Sequence, residues 1–367
     1  MMSLNQKNET LSFNDRPINV PPLLNQEDAV RESFNYMEKR MKGDYTIIKT
    51  FSSRLDKAIG YFELNTMVTI SALSGGGKST LSKRLINSIV EDLINQNKEV
   101  ICLSFNFEML AHKTIARELS NRSSKTLREL YSIDKPLRSD EYQKLYDEYF
   151  NVLANFPIKY VEEPQDYTSI KDTIYYYWTK LAKPNNKIFI VEIDHAMITR
   201  GKDGDSQKDR LDNLMENLNV IKKRIAAQGG QMIIFILSQM NRDIKSENRR
   251  LVPELQYPTT SDLFAASAIE FFSDYIIIAH NPSKLNLKSY TEYKYPIFVK
   301  ESNNDLTPFI YFHILKNRDG IPDITIPYLS RLNFFDFEEV SREDFKVYHD
   351  TFLATKTNPN RIHKTII

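Results

Sequence analysis

The chain has a single cysteine, Cys102, in 367 residues. No disulfide can form within it. The thiol, set in the apolar run Val100-Ile-Cys-Leu-Ser-Phe105, reads as a small core residue of a strand, a usage that suits a reducing, cytoplasmic setting. Long apolar runs are missing as well. No segment is apolar enough to span a bilayer and there is no secretory h-region, so no membrane partner is expected. Net charge is scarce: 49 Lys and Arg against 48 Asp and Glu leave +1 at pH 7. The charge of the whole molecule therefore does not advertise a nucleic-acid partner, and any such binding must come from a local patch. Internal repeats are absent. What is present, 41% hydrophobic and 26% charged residues, is ordinary for a globular protein with a sizeable core.

Glycine is sparse, 10 in all, yet three stand together in Ala72-Leu-Ser74-Gly75-Gly76-Gly77-Lys78-Ser79-Thr80. This reads as a phosphate-binding loop. Residues without side chains let successive N–H groups point into one concavity and hold phosphate oxygens. Lys78 adds a mobile charge for the β- and γ-phosphates, and the Ser79 hydroxyl is placed to coordinate Mg²⁺. Upstream, Met67-Val-Thr-Ile-Ser71 alternates and is β-branched, as a strand should be. Downstream, Leu81, Leu85, Ile86, Ile89, Val90 and Leu93 recur at helical spacing, which sets the anion at a helix N-terminus. Ala72 stands where the motif usually has its first glycine.

Along the chain, residues 1 to about 26 are polar and proline-bearing and read as an extended arm, followed by an amphipathic helix over 29–41. Strand candidates are 67–71, 100–105, 158–161, 188–193, 232–237, 275–279, 296–300 and 309–315. Helical patterns cover 79–95, 110–120, 139–154, 168–182, 208–228 and 262–272. Strands alternating with helices predict a parallel sheet covered on both faces, with the last strands appended as hairpins. The expected domains are an arm and helix over 1–45, one α/β unit over 46–340, and a polar tail over 341–367.

Ligands of an open α/β sheet sit beyond the carboxyl ends of its strands. Three buried runs end in polar groups: Glu108 after 100–105, Asp194-His195 after 188–193, and Ser238-Gln239 after 232–237. Phosphoryl transfer needs a carboxylate to hold Mg²⁺, an acceptor for the attacking water, and an amide that distinguishes ATP from ADP. Asp194, Glu108 and Gln239 suit these roles in turn. Acids after strands also cap the next helix, which remains open for both Asp194 and Glu108. Glu192 is a charge inside a buried run, costly unless paired. It is either a partner to the Asp194 site or one half of a salt bridge to a neighbouring helix.

These pieces together resemble the ATPase domain of DnaB-type hexameric replicative helicases, in the RecA-like group, from about Phe51 to Phe335. Ser53-Arg-Leu-Asp56 with Gly60 is similar to the family's opening segment. Ser104-Phe-Asn-Phe-Glu108-Met109 is similar to the strand that ends in the catalytic glutamate. Ile190-Val-Glu-Ile-Asp194-His195 is similar to the Walker B strand, with His195 where Tyr is common. Leu237-Ser-Gln239-Met-Asn-Arg242 is similar to Ser-Gln-Leu-Asn-Arg. Ser261-Asp262-Leu263 through Asp274 is similar to the next motif, with Phe264 in place of the usual arginine. Leu315-Lys316-Asn-Arg318-Asp-Gly320 resembles the Lys-x-Arg finger, although by itself it is also a polar hairpin turn.

The resemblance implies a RecA-like P-loop NTPase core: a mostly parallel central sheet flanked by helices, with C-terminal antiparallel hairpin strands. It implies ATP and Mg²⁺ as cofactors and a ring homo-oligomer, a hexamer, in which Lys316 and Arg318 reach the nucleotide of the adjacent subunit. It implies single-stranded DNA held in the pore by two loops. One carries Lys202, Lys208 and Arg210, the other Arg242, Lys245, Arg249 and Arg250. Aromatic residues do not interleave with these charges, so backbone tracking is expected rather than base stacking. A primase or loader would be a further partner. Residues 29–41 match the family's linker helix or pack on their own domain. The length leaves no room for the family's N-terminal primase-contacting domain, so a minimal form of the phage or plasmid kind is expected. The expected function is ATP-dependent translocation on single-stranded DNA and duplex unwinding. The alternative is a RecA-like ATPase that does not unwind, such as a helicase loader, a recombination mediator or a KaiC-like regulator.

Overall fold

The computed structural model describes residues 10–13, 16–19, 23, 25–196, 200–201, 204–301 and 305–357. The chain divides into two compact units, Met1–Ile47 and Ile48–Ile367. In the first, the segment read as an extended arm carries an antiparallel hairpin of β1 (Thr10–Phe13) and β2 (Arg16–Asn19) in the register Leu11 to Ile18. Its helix α1 (Gln26–Lys42) starts where the Asn25 side chain accepts from the Asp28 N–H and stops at Gly43, which turns left-handed at φ 72°. None of its residues is buried, and Val30, Phe34, Met37 and Met41 lie exposed along one face.

The second unit opens with α2 (Ser53–Ile59), β3 (Thr66–Ala72), α3 (Lys78–Asn95), β4 (Val100–Asn106), α4 (Ala111–Ser123), α5 (Leu127–Leu130) and α6 (Ser139–Ala154). It continues through β5 (Ile158–Val161), α7 (Tyr167–Tyr177), β6 (Ile188–Asp194), α8 (Gln207–Ala226), β7 (Met232–Gln239), α9 (Glu247–Leu251) and α10 (Ala266–Phe272). It closes with β8 (Tyr275–His280), β9 (Phe298–Lys300), β10 (Leu306–Asn317), β11 (Ile324–Arg331), β12 (Asp336–Glu339) and α11 (Arg342–Thr357). The strands form one sheet in the order β12-β11-β10-β8-β3-β7-β6-β4-β5, with β9 on β10. From β8 to β5 all pairs are parallel, while β9 to β12 are antiparallel, as the alternating pattern and the late hairpins predict.

The parallel strands read as continuous apolar runs because both faces are covered. In β6, Phe189, Val191 and Ile193 enter the core under α7 and α8, whereas Ile188 and Ile190 enter the core under α3. Period-two alternation therefore sends Glu192 and Asp194 to the α3 side. Cys102 is fully buried in β4, and burial pushes its thiol well above the usual range.

Several elements differ from the periodicity. The helix expected over 168–182 ends at Tyr177 and continues as one π turn, Trp178–Ala182, which buries Trp178. The helix expected from 262 begins at Ala266. β11 was not anticipated because Pro327 interrupts its apolar pattern, and β12 is short and acidic, a sheet-edge composition. Helix α11 occupies much of the segment read as a polar tail, whose residues 358–367 lie outside the described residues. Among the described residues no helix is long and apolar enough to cross a membrane.

Candidate nucleotide site at the sheet edge

The register aligns four strand ends. Ala72 of β3 pairs with Gln239 of β7, β7 pairs with β6, and Asp194 of β6 pairs with Asn106 of β4. The phosphate loop, Asp194, Gln239 and the Glu108 segment therefore meet at one edge. The loop leaves β3 at Ala72 and needs its glycines: Gly75 and Gly77 sit at φ 67° and 95°, and a Cβ on Gly76 would stand 2.7 Å from the Leu73 carbonyl. Gly77 is the N-cap of α3 and offers no side-chain cap, which leaves the first-turn N–H groups of α3, from Lys78 to Thr80, for an anion. Ser74 and Gly75 are exposed, and Lys284 brings a cation to the loop, its Nζ 3.0 Å from where a Cβ on Gly75 would lie.

Lys78 and Asp194 face each other with Nζ 3.8 Å from Oδ1, and both atoms are buried without a hydrogen-bond partner among the described residues. Burial lowers the Lys78 ammonium, opposed by Asp194 and Glu108. Burial raises the Asp194 carboxyl, opposed by Lys78 and by a hydrogen bond from the Ser79 hydroxyl. A buried ammonium without a hydrogen bond, beside an uncapped helix, fits a polyphosphate, and the acid opposite it fits a cation. Among the described residues no group of three or more His, Cys, Asp and Glu could hold a metal ion by itself. The hydroxyl of Ser79 with the Asp194 carboxylate would suit Mg²⁺, an ion that needs only one or two protein oxygens.

Glu192 resolves toward a salt bridge to the neighbouring helix. Fully buried, it accepts from Ser82 Oγ at 2.7 Å and Ser104 Oγ at 2.5 Å, and it pairs with Lys83, whose Nζ also donates to Ser104 Oγ at 3.0 Å. Ser82 and Lys83 lie on α3, so this network pins the helix that follows the phosphate loop against the Asp194 strand.

Glu108 does not cap α4. The first N–H of that helix, at Ala111, donates to the Glu162 carboxylate instead, a residue that carries no motif of its own. Glu108 stays half-exposed beside the site, its Oε2 3.8 Å from His195 Nδ1. His195 Nε2 lies 2.8 Å from Gln239 Nε2. Burial and the Lys78 ammonium lower the imidazole to about 4, against the opposing pull of Glu108, so the ring is neutral at pH 7.

Lys316 and Arg318 are not brought to this edge. They end β10, which runs antiparallel to β8, with Asn317 opposite Tyr275 at the start of β8. That is the opposite edge of the sheet, the length of β3 away, about 20 Å for its rise per residue. There the Lys316 ammonium donates to the Glu270 carbonyl, and Arg318 Nε sits 2.7 Å from Asp274 Oδ1. Asp274 also takes Lys222 Nζ at 2.9 Å and the Met67 N–H at 2.8 Å.

The basic loops divide. Arg242, Lys245 and Arg250 are exposed. Arg249 is not free: it forks onto Asp262 at 2.9 and 3.0 Å and donates to the Tyr257 carbonyl at 2.6 Å, pinning the 241–262 loop shut. Lys208 pairs with Asp212 one turn along α8, and Arg210 is half-buried on the same helix. Lys202 lies outside the described residues.

A mostly parallel sheet carrying a phosphate loop, with an acid and an amide on the adjoining strand ends, defines a RecA-like P-loop NTPase. A solved structure described as an "ATPase Domain" matches it with a TM-score of 0.66 at 17% identity, covering 85% of this chain and 99% of that one. Another, "The Structure Of A DnaB-Like Replicative Helicase And Its Interactions With Primase", gives 0.64 at 18% identity, covering 85% of this chain and 66% of that one. At such identities these speak for the fold alone. No curated protein matches the chain. The family model for the DnaB-like helicase C-terminal domain matches residues 48–337, and the chain belongs to that family.

Proposed function

We propose that this protein is an ATP-dependent replicative DNA helicase whose active sites are completed between neighbouring copies in a ring. The observation that carries the proposal is the placement of Lys316 and Arg318 at the edge opposite their own phosphate loop. Placed there, the pair cannot serve its own triphosphate, and a nucleotide it could serve would be a neighbour's. The exposed apolar stripe of α1 supports the same reading, as a helix that docks on an adjacent copy.

In this scheme the N–H groups from Gly75 to Thr80 and the Lys78 ammonium hold the triphosphate tail. Ser79 and Asp194 would hold Mg²⁺, which when bound would neutralise negative charge on the triphosphate. Glu108 orients the attacking water and takes its proton, and Gln239 reads the γ-phosphate. Arg318 of the next subunit, with Lys316, stabilises charge on the transferring phosphoryl group. Arg242, Lys245 and Arg250, repeated around a pore with Lys202, Lys208 and Arg210, track the phosphates of one DNA strand.

Strand displacement on forked DNA with ATP and Mg²⁺, beside a particle mass, tests this. The expected result is ATP-dependent displacement by particles several times the 42.9 kDa chain mass. Full turnover by a monomer would remove the shared site, and hydrolysis by a ring without displacement would make the protein a RecA-like ATPase that does not unwind.

A further inference from the structure

His195 sits between groups from two other strand ends. Its Nε2 is 2.8 Å from Gln239 Nε2, and its Nδ1 is 3.8 Å from Glu108 Oε2. With its amide nitrogen turned to the ring, Gln239 donates to Nε2, which accepts. With Nε2 accepting, the ring proton lies on Nδ1, the nitrogen that faces the carboxylate. That Nδ1 is buried and has no hydrogen-bond partner among the described residues, and the side chain is 7% exposed against 52% for Glu108. One ring nitrogen is thus committed to the amide and the other is aimed at the acid.

We propose that His195 is a positioning residue that ties the Gln239 amide to the Glu108 carboxylate, so that the group reading the γ-phosphate also sets the group that activates water. The proposal rests on the nucleotide-site reading above. A half-exposed carboxylate samples several rotamers, and an N–H aimed at it selects one. The present separation is longer than a hydrogen bond, and it closes when Glu108, which is free to turn, swings toward the ring. The rigid partner is the imidazole, held in orientation by Gln239. A change at Gln239 on meeting a γ-phosphate therefore reaches Glu108 through one ring.

The test combines steady-state kinetics with ¹⁵N NMR of histidine-labelled protein. His195→Phe removes both ring nitrogens, while His195→Asn keeps one donor and one acceptor. Misplacing Glu108 should lower kcat by up to about 10²-fold with the KM for ATP little changed. His195→Asn should recover part of that loss. Gln239→Ala with His195→Phe should be no slower than the slower single variant, because both act through one path. The His195 resonances, assigned by their loss in His195→Asn, should show the Nδ1–H tautomer in the wild-type protein and a shift toward Nε2–H in Gln239→Ala.

Wild-type kcat in His195→Phe, multiplied losses in the double variant, or an Nε2–H ring in the wild type would each overturn the coupling. Should His195→Phe fail to fold, judged by its thermal melt, the tautomer and the Asn variant decide the matter. Glu108→Gln separates the two levels. If it hydrolyses ATP at the wild-type rate, the site reading itself fails. If it is inactive while His195→Phe is unaffected, only the coupling fails.

Discussion

Lys78 is an ammonium kept in a dry place with no hydrogen bond among the described residues, 3.8 Å from an equally unsatisfied carboxylate oxygen. Such an arrangement is costly in isolation and becomes favourable when phosphate oxygens arrive. Lys78→Ala should lower ATP turnover by about 10²–10³-fold, as losing one pre-organised donor does, measured by phosphate release. Glu108→Gln should stop hydrolysis to a similar or greater extent, by about 10²–10⁴-fold, yet leave nucleotide binding intact in an equilibrium titration. Loss of binding in that variant would make Glu108 structural. Glu192 is a different kind of acid. Among the described residues its partner Lys83 pairs with no other carboxylate, so Glu192→Gln leaves a mostly buried cation uncompensated. Unfolding free energy should fall by about 3 kcal/mol, read from the urea midpoint.

At the scale of elements, the 241–262 loop is closed at its base by Asn241 N–H to the Asp262 carbonyl at 2.7 Å and across its middle by the Arg249–Asp262 fork. Arg249→Ala should strand the buried Asp262 carboxylate, lowering stability by about 3 kcal/mol and opening the loop to limited proteolysis. Arg242→Ala and Arg250→Ala should leave stability alone and weaken single-stranded DNA binding. Each should reduce the slope of log affinity against log salt by about 0.7, the signature of one lost phosphate contact. A single basic motif thus holds two kinds of arginine, and only the fold tells them apart. Helix α3 and strand β6 were legible to within one residue at one end because their signals, helical spacing and an apolar run, are local. β11 was not, because Pro327 disguises it, and no local pattern records that it pairs with β10 all the way from Ile324 to Leu329.

For the whole molecule, the proposed action of Lys316 and Arg318 on a neighbour's nucleotide would make activity a property of the assembly. Arg318→Ala alone should form rings with little turnover. Mixed with Lys78→Ala subunits it should regain part of the activity, since some interfaces then pair an intact loop with an intact finger. Mixed rings with no recovery would count against action in trans. In the single chain Arg318 is engaged by Asp274 and Lys316 by the Glu270 carbonyl, contacts that the proposed action in trans would exchange for phosphate.

Composition, period-two and helical spacing, and the polar residues that close each apolar run determined which chemistry sits at one edge of the sheet. Parallel strands all end at the same side, so the residues just past each strand gather there without any knowledge of long-range contacts. Partner choice among charges was decided only by tertiary structure. Glu162 and not Glu108 meets α4, Glu192 meets a helix 110 residues earlier in the chain, and Arg249 closes a loop. Whether a charge is spent on its own fold or left for a ligand depends on which opposite charge the chain folds beside it, and no local pattern carries that.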